Sequence, residues 1–231
     1  MIIDNLRQIY GRMQAAAQRA GRRPDEVELL AVIKYAPIES VQELLAAGQV
    51  AQVAENRVQD AQRRKAALGD RATTVKWRMI GHLQTNKAKQ AVELFDAVDS
   101  IDSLHVASAL DRRLAVAGKT LPVLVQVKLT SQETQSGVAP EQLSQLLSQL
   151  ESLSRLRVEG LMGIAANLQP VEEVRPHFRT LKKLFDRHFS GKPGARLSMG
   201  MSHDFEIAIE EGSTMVRIGS ALFSSQRQKQ Q

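Results

Sequence analysis

The lysine at position 34 is a residue whose type and position could support covalent chemistry. It follows a short run rich in β-branched residues, Val27 to Ile33, which predicts a buried strand. Alternate residues of a strand face the same side, so we expect Leu30, Val32 and Lys34 to share one face. Loss of water around a lysine disfavours its charged form, and the neutral amine can then attack an aldehyde or ketone. The alternative is a lysine that extends its ammonium group into solvent. Taken by itself, the sequence around Lys34 favours this alternative.

Two turns near the end of the sequence are candidates for binding an anion. The first, Ser198 to Ser202, follows an apolar run, and Ser202 stands where we expect the N-cap of a helix over residues 203–211. The second turn contains Gly219 and Ser220. Glycine lets a backbone approach an anion closely, and serine adds a hydroxyl donor. Ordinary strand–helix turns have the same composition, so the sequence leaves both interpretations open.

Arg217 is the charged residue of the last apolar run, Thr214 to Ile218. By strand alternation it faces the same side as Gly219. A buried guanidinium is costly unless it is paired or bound to a ligand. Its partner could be an acid such as Asp204 or Glu206, a ring nitrogen, or a phosphate group.

These residues belong to a regular alternation of short apolar runs and longer segments with helical periodicity. Eight runs are predicted as strands, at Val27–Ile33, Gln49–Val53, Val75–Ile80, Phe95–Val98, Pro122–Leu129, Leu156–Ile164, Ala195–Met199 and Thr214–Ile218. Runs that are apolar on both faces are typical of a parallel sheet covered by helices. Eight such units within about 200 residues predict a single (β/α)₈ barrel, with a site at the carboxyl ends of the strands.

An open, doubly wound sheet is the alternative fold. It normally carries a glycine-rich phosphate loop after its first strand, whereas residues 33–37 contain no glycine. We therefore predict a barrel at residues 25–225. One amphipathic helix within residues 1–24 precedes it, and a polar tail at residues 226–231 follows it.

The composition excludes several classes of protein. The chain has 231 residues, a net charge of +6 and no cysteine, which rules out disulfides and thiol catalysis. No apolar run reaches the roughly 20 residues that a membrane helix needs, and Asp4 does not suit an export signal. The basic residues are dispersed and not interleaved with aromatic ones, so we do not predict nucleic-acid binding. We expect a cytoplasmic monomer with no nucleic-acid or membrane partner.

Several segments of the chain resemble those of the pyridoxal 5′-phosphate homeostasis proteins, also called the YggS or PROSC family, which are similar to the barrel domain of bacterial alanine racemase. In chain order the matching segments are Ala31–Lys34, Ala54–Arg57, Ile80–Lys87, Ser136–Gly137, Glu159–Met162, Ser198–Ser202 and Gly212–Gly219. The last two are the most specific. Together the segments cover nearly the whole chain, which implies a barrel of the alanine racemase type.

The resemblance implies that the cofactor is pyridoxal 5′-phosphate (PLP) and that Lys34 holds it as a Schiff base. It further implies that Ser202, Gly219 and Ser220 bind the phosphate group of PLP. Arg217 would then face the nitrogen of the pyridine ring.

Asn56 is similar to the asparagine that lies near the cofactor ring in this family. His82 and Gln84 lie in a family motif, but the resemblance gives them no defined role, and His82 could be structural. The chain also departs from the family pattern. Ile33 and Tyr35 flank the lysine in place of small polar residues, and Ala54 stands where a glycine is usual.

The predicted position of Arg217 argues against strong catalysis. An arginine beside the pyridine nitrogen disfavours protonation of the ring, which makes it a poorer electron sink. Racemases with this arrangement use a tyrosine from a second domain as another base. Here Tyr10 lies in the first predicted helix, and Tyr35 should project away from Lys34 if the strand continues to it.

The resemblance therefore implies a protein that stores and supplies PLP and affects the balance of amino acids and keto acids. Its expected partners are PLP, free amino acids and PLP-requiring apoenzymes. A weakly active PLP-dependent amino-acid racemase is the alternative.

Overall fold

The apolar runs form eight parallel strands, which pair in sequence order into a closed barrel in the computed structural model. The structure describes residues 1–130 and 135–224. Its strands are β1 (Glu28–Val32), β2 (Gln52–Glu55), β3 (Lys76–Met79), β4 (Ala97–Ile101), β5 (Leu121–Lys128), β6 (Leu156–Ile164), β7 (Arg196–Ser198) and β8 (Met215–Ile218). The first strand pairs with the last, with Leu30 beside Arg217. The predicted (β/α)₈ fold is confirmed, and the open sheet is excluded.

Each strand is followed by a helix on the outside of the barrel, and one further helix precedes β1. In the described residues the α-helices are α1 (Ile2–Arg19), α2 (Ile38–Ala46), α3 (Val58–Leu68), α4 (Ala88–Leu94), α5 (Leu104–Ala117), α6 (Leu143–Leu150), α7 (Arg175–Phe189), α8 (Phe205–Glu210) and α9 (Ser220–Phe223). The predicted polar tail at residues 226–231 lies outside the described residues, as does residue 225 at the end of the predicted barrel.

Strand alternation separates the barrel interior from the layer between strands and helices. Leu30 and Val32 of β1 pack with Met215 of β8 in a small interior cluster. Ala31 and Ile33 belong to the larger core that packs against the helices. This alternation of side chains is the one predicted for the first strand. The chain after Val32 lies at the end of the barrel where the strands terminate.

A buried ion pair lies inside the barrel between β3 and β4. Arg78 Nε donates to Asp99 Oδ2 at 2.8 Å, and both side chains are almost fully buried. The paired charges let β4 continue through a polar segment to Ile101, although the apolar run predicted only Phe95–Val98.

Helix α1 packs on the outside of the barrel against α8 and α9. Arg12 Nη2 lies 2.7 Å from Glu206 Oε2, and the Arg12 guanidinium lies 4.6 Å from the centre of the Phe205 ring. The buried amide of Asn5 donates to the Leu222 carbonyl at 2.9 Å, near the end of α9. Helix α1 therefore supports the two helices that follow β7 and β8.

Candidate functional site

A cavity of about 970 Å³ lies at the carboxyl ends of the strands. The six residues that the sequence singled out all line it, although they come from distant parts of the chain. They are Lys34, Asn56, Ser202, Arg217, Gly219 and Ser220.

Lys34 lies in a turn immediately after β1, rather than in the strand itself. The strand ends at Val32, and the Ala36 N–H donates to the Ile33 carbonyl at 3.0 Å to close the turn. Lys34 is half-buried, and its Nζ lies 5.0 Å from the centre of the Tyr35 ring. The prediction that Tyr35 projects away from Lys34 required the strand to continue, and it is wrong because β1 ends at Val32. Strand alternation no longer applies two residues beyond the end of the strand.

The loop after β7 and the segment after β8 meet at the hydroxyl of Ser202. Ser202 Oγ accepts from the Gly219 N–H at 3.3 Å and from the Ala221 N–H at 3.2 Å. One hydroxyl and two backbone N–H groups therefore converge beside the cavity. Ser220 lies between the two donors and begins α9. Such a cluster of donors suits an anion with several oxygens.

Ser202 does not cap the following helix, contrary to the prediction. Helix α8 begins only at Phe205, and Asp204 occupies the position before it. The Asp204 carboxylate accepts from the Met201 N–H at 2.6 Å, so the short loop is closed by the aspartate. This leaves the Ser202 hydroxyl to bond across to the segment after β8.

Gly219 lies against the end of β1. A Cβ atom at this position would lie 3.1 Å from the Val32 carbonyl oxygen and 3.3 Å from the Val32 Cβ, which is too close for a relaxed contact. Glycine therefore lets β1 and β8 remain adjacent where the lysine turn and the N–H donors approach each other.

Arg217 is buried inside the barrel and bonds only to neutral groups in the described residues. Its Nη1 donates to Ser198 Oγ and its Nη2 to the Gly163 carbonyl, both at 2.8 Å. Neither Asp204 nor Glu206 forms an ion pair with it there, so the acid alternative is not realised. Burial lowers the pKa of Arg217 to about 10, although the more distant carboxylates oppose this shift. A buried cation without an ionised partner favours an electron-rich or anionic ligand.

Asn56 follows β2 and lies against Gly81, which follows β3. The Asn56 N–H donates to Glu55 Oε2 at 3.3 Å. A Cβ atom on Gly81 would lie 2.1 Å from the Asn56 carbonyl oxygen, so only glycine fits beside it. The Ala54 departure from the family pattern falls inside the barrel, where its methyl group joins the interior cluster.

His82 lines the cavity at its exposed edge, with Nδ1 3.3 Å from Asp102 Oδ2. Gln84 is exposed and is not part of the described cavity lining. The β5 side of the cavity was not predicted from the sequence. There Gln126 Nε2 donates to the Ser136 carbonyl at 2.8 Å. The available signal was Gln126 itself, a polar residue within an apolar run.

The residues that the structure describes offer neither a metal site nor a membrane-spanning helix. They contain no group of histidine and acidic side chains that could hold a metal ion. No helix in that part of the chain is long and apolar enough to span a membrane.

The barrel, the lysine after its first strand and the donors after its last two strands define a protein with an alanine racemase type of barrel. The family model of the alanine racemase N-terminal domain matches residues 5–226. The pyridoxal phosphate homeostasis protein of Aquifex aeolicus is 38% identical, over 97% of this chain and 98% of the relative. That of Escherichia coli K12 is also 38% identical, over 97% of this chain and 96% of the relative. The chain belongs to the alanine racemase N-terminal domain family and, within it, to the pyridoxal phosphate homeostasis proteins.

Solved structures agree with this assignment. PipY from Synechococcus elongatus, in a structure with PLP bound, is 35% identical, with a TM-score of 0.81 over 97% of this chain and all (100%) of PipY. An unknown protein from Bifidobacterium adolescentis is 33% identical, with a TM-score of 0.88 over 96% of this chain and 94% of that protein. Alanine racemase from Clostridium difficile is 18% identical and has a TM-score of 0.75, over 96% of this chain and 57% of the racemase. The racemase supports the fold alone.

Proposed function

We propose that this protein binds PLP, holds it as a Schiff base on Lys34 and supplies it to other proteins, without strong catalytic activity of its own. The observation that carries the proposal is the convergence of three features on one cavity. They are the Lys34 amine, the buried guanidinium of Arg217 and the donors around Ser202.

Each feature matches one chemical group of PLP. The Lys34 amine suits the aldehyde, because a primary amine and an aldehyde form a reversible covalent bond. The hydroxyls of Ser202 and Ser220, with the Gly219 N–H, suit the phosphate. When bound, PLP supplies an aldehyde that exchanges between primary amines and a ring that withdraws electrons.

Arg217 would face the nitrogen of the PLP ring, and Asn56 would lie near the ring. A guanidinium at the pyridine nitrogen donates to its lone pair and disfavours a second positive charge there. The unprotonated ring withdraws electrons less strongly, which limits the stabilisation of a substrate carbanion. This property supports storage and supply of PLP more than turnover of an amino acid.

The relatives support the same function, since those from Aquifex aeolicus and Escherichia coli are named pyridoxal phosphate homeostasis proteins. The PLP in the PipY structure supports the choice of ligand. We further propose that the protein acts in the cytoplasm as a monomer. Free amino acids and PLP-requiring apoenzymes would receive the cofactor by amine exchange at the open end of the barrel, with effects on amino-acid and keto-acid balance.

Racemisation of amino acids is a second candidate function because Tyr35 lies beside Lys34. The Tyr35 ring lines the cavity, and its centre is 5.0 Å from the lysine Nζ, so the chain does provide a phenol near the amine. Tyr35 precedes α2 on the same turn as Lys34, whereas two-base racemisation needs bases on opposite faces of the substrate. The position of Tyr35 therefore favours storage of PLP over racemisation.

The direct test is the visible spectrum of the purified protein after addition of PLP, followed by reduction with borohydride and peptide mapping. We expect PLP to become attached to Lys34 and the Lys34→Ala variant to show no covalent label. Lys128→Ala is the matched control, because Lys128 is also half-buried at a strand end but is not part of the described cavity lining. An unlabelled wild-type protein would contradict the proposal.

A second measurement separates supply from catalysis. Loaded protein mixed with a PLP-requiring apoenzyme should activate it faster than free diffusion of released PLP allows. Deuterium exchange at the α-carbon of alanine should remain at the level of free PLP. Rapid exchange that depends on both Lys34 and Tyr35 would instead establish the racemase.

A further inference from the structure

Arg64 of α3 connects two segments of the proposed PLP site from outside the described cavity lining. Its Nε donates to Glu55 Oε1 at 2.9 Å and its Nη1 to the Ala36 carbonyl at 2.9 Å. Its Nη2 lies 3.5 Å from the Lys34 carbonyl, at the limit of a hydrogen bond. One planar guanidinium therefore holds the end of β2 and the turn that carries the lysine. A guanidinium can do this because its donors form a rigid fork.

Glu55 extends this connection to a second site residue. Its Oε1 accepts from Arg64, while its Oε2 accepts from the Asn56 N–H at 3.3 Å. The Glu55 side chain is fully buried and that of Arg64 is 13% exposed. Burial raises the pKa of Glu55 although the guanidinium opposes the shift, so the carboxylate depends on its partner to stay charged.

The turn has few other fixed contacts. Pairing of β1 with β2 ends with the Ile33 N–H, which donates to the Ala54 carbonyl at 3.0 Å. Within the described residues, the backbone beyond it is held by one local bond, from the Ala36 N–H to the Ile33 carbonyl, before Pro37 leads into α2. Arg64 supplies the connection from this turn to the neighbouring strand.

We propose that Arg64 is a positioning residue of the PLP site, which holds the Lys34 turn in register with Asn56, and that Glu55 fixes Arg64 for this purpose. The proposal rests on the proposed binding of PLP. A purely structural role of the pair can be distinguished from this positioning role by comparing different ligands. A structural pair would affect all ligands equally, whereas a positioning residue affects the bond to the lysine selectively.

The test compares PLP with pyridoxine 5′-phosphate, which carries the same ring and phosphate but an alcohol in place of the aldehyde. Arg64→Lys keeps the charge beside Glu55 and removes the fork that reaches the two carbonyls. We expect its dissociation constant for PLP to rise about tenfold, the loss expected from one or two hydrogen bonds. The dissociation constant for pyridoxine 5′-phosphate should stay within about twofold of wild type. The rate of borohydride-trapped labelling at Lys34 should fall with the affinity for PLP.

Arg63→Ala is the matched control on the same helix, because Arg63 is exposed and pairs with Asp60. It should bind both ligands like the wild type. Glu55→Gln provides a second variant that keeps the shape of the side chain but replaces one of its two acceptor oxygens by an amide NH2 group. It can accept from Arg64 or from the Asn56 N–H but not from both, and it should show a smaller loss of the same selectivity. Thermal unfolding of each protein without ligand reports any structural damage separately.

Two results would overturn the inference. Either Arg64→Lys binds PLP as tightly as the wild type, or it loses affinity for both ligands equally, whether or not its melting temperature falls. Failure of the proposed function gives a different pattern, in which the wild type itself does not label at Lys34.

Discussion

Arg217 and Ser202 show how single residues give this cavity its preference for ligands. Arg217 is a buried cation with a hydroxyl and a carbonyl as partners, so its charge is solvated but not neutralised in the described residues. Ser202 holds two backbone N–H groups that can donate to an anion in its place. Both residues are satisfied without a ligand, and both can exchange a neutral partner for a better acceptor. The site is therefore prepared for binding at little cost in reorganisation.

Replacement of Ser202 by alanine tests the phosphate end of the site. The variant loses the hydroxyl, so we expect its dissociation constant for PLP to rise about three- to tenfold, the equivalent of one hydrogen bond. Pyridoxal without its phosphate should bind the variant and the wild type equally. Equilibrium dialysis with both ligands measures the difference. An equal loss of affinity for pyridoxal and for PLP would contradict a role of Ser202 in binding the phosphate group.

At the scale of elements, α1 is tied to the part of the barrel that carries the anion donors. Arg19 Nη2 lies 2.8 Å from Glu210 Oε1 at the end of α8, and Arg175 of α7 binds the same carboxylate from the other side at 2.8 Å. Asn5 donates to the Leu222 carbonyl within α9 at 2.9 Å and to the Ser224 carbonyl just after it at 3.2 Å. These contacts hold in place the segments that contain Ser202 and Gly219.

The Asn5→Leu variant should loosen α9 because it replaces a buried donor by a side chain of similar shape. We expect the free energy of unfolding to fall by about 2 kcal/mol, the cost of leaving buried carbonyls without this donor. Amide hydrogen exchange in residues 219–223 should become faster, and PLP affinity should fall. Gln8→Ala, an exposed change on the same helix, is the control. Unchanged exchange in α9 would contradict this role of α1.

The sequence predicted the number, type and order of the strands, but not all of their ends. Strand β2 runs to Glu55 and β4 through Asp99, whereas the apolar runs indicated ends at Val53 and Val98. In each case a buried acid continues the strand, because an arginine from another element neutralises it. Periodicity within one segment cannot reveal such a partner.

The candidate residues of the site could be predicted from the sequence, but most of the contacts between them could not. Lys34, Asn56 and the two terminal turns were identified from local sequence and from family resemblance. The bonds from Gly219 and Ala221 to Ser202, and the role of Arg64, were not. They depend on contacts between residues far apart in the chain, which only the closed barrel creates.

At the scale of the whole molecule, the interior of the barrel combines apolar packing with paired charges. Arg78 and Asp99 form an ion pair in this interior, and both side chains are at most 5% exposed. Their mutual attraction offsets the loss of water around each of them, but neither charge is tolerable alone. The barrel therefore depends on keeping both or removing both.

Arg78→Met should lower the free energy of unfolding by about 3–5 kcal/mol, because it leaves Asp99 buried without its partner. The double variant Arg78→Met with Asp99→Leu should recover most of this loss. Denaturation by urea at neutral pH measures all three proteins. A double variant that is no more stable than the single variant would show that the pair contributes more than charge compensation.

Because β1 pairs with β8, the protein can bind PLP fully only after the whole barrel has folded and closed. The lysine turn follows the first strand, and the groups that can donate to an anion follow the last two strands. Leu30 of β1 and Arg217 of β8 lie side by side where the first and last strands pair. A partly folded chain in which β1 and β8 have not yet paired lacks a complete site and therefore cannot bind PLP. Bound PLP in turn stabilises the closed barrel by mass action and opposes separation of β1 from β8.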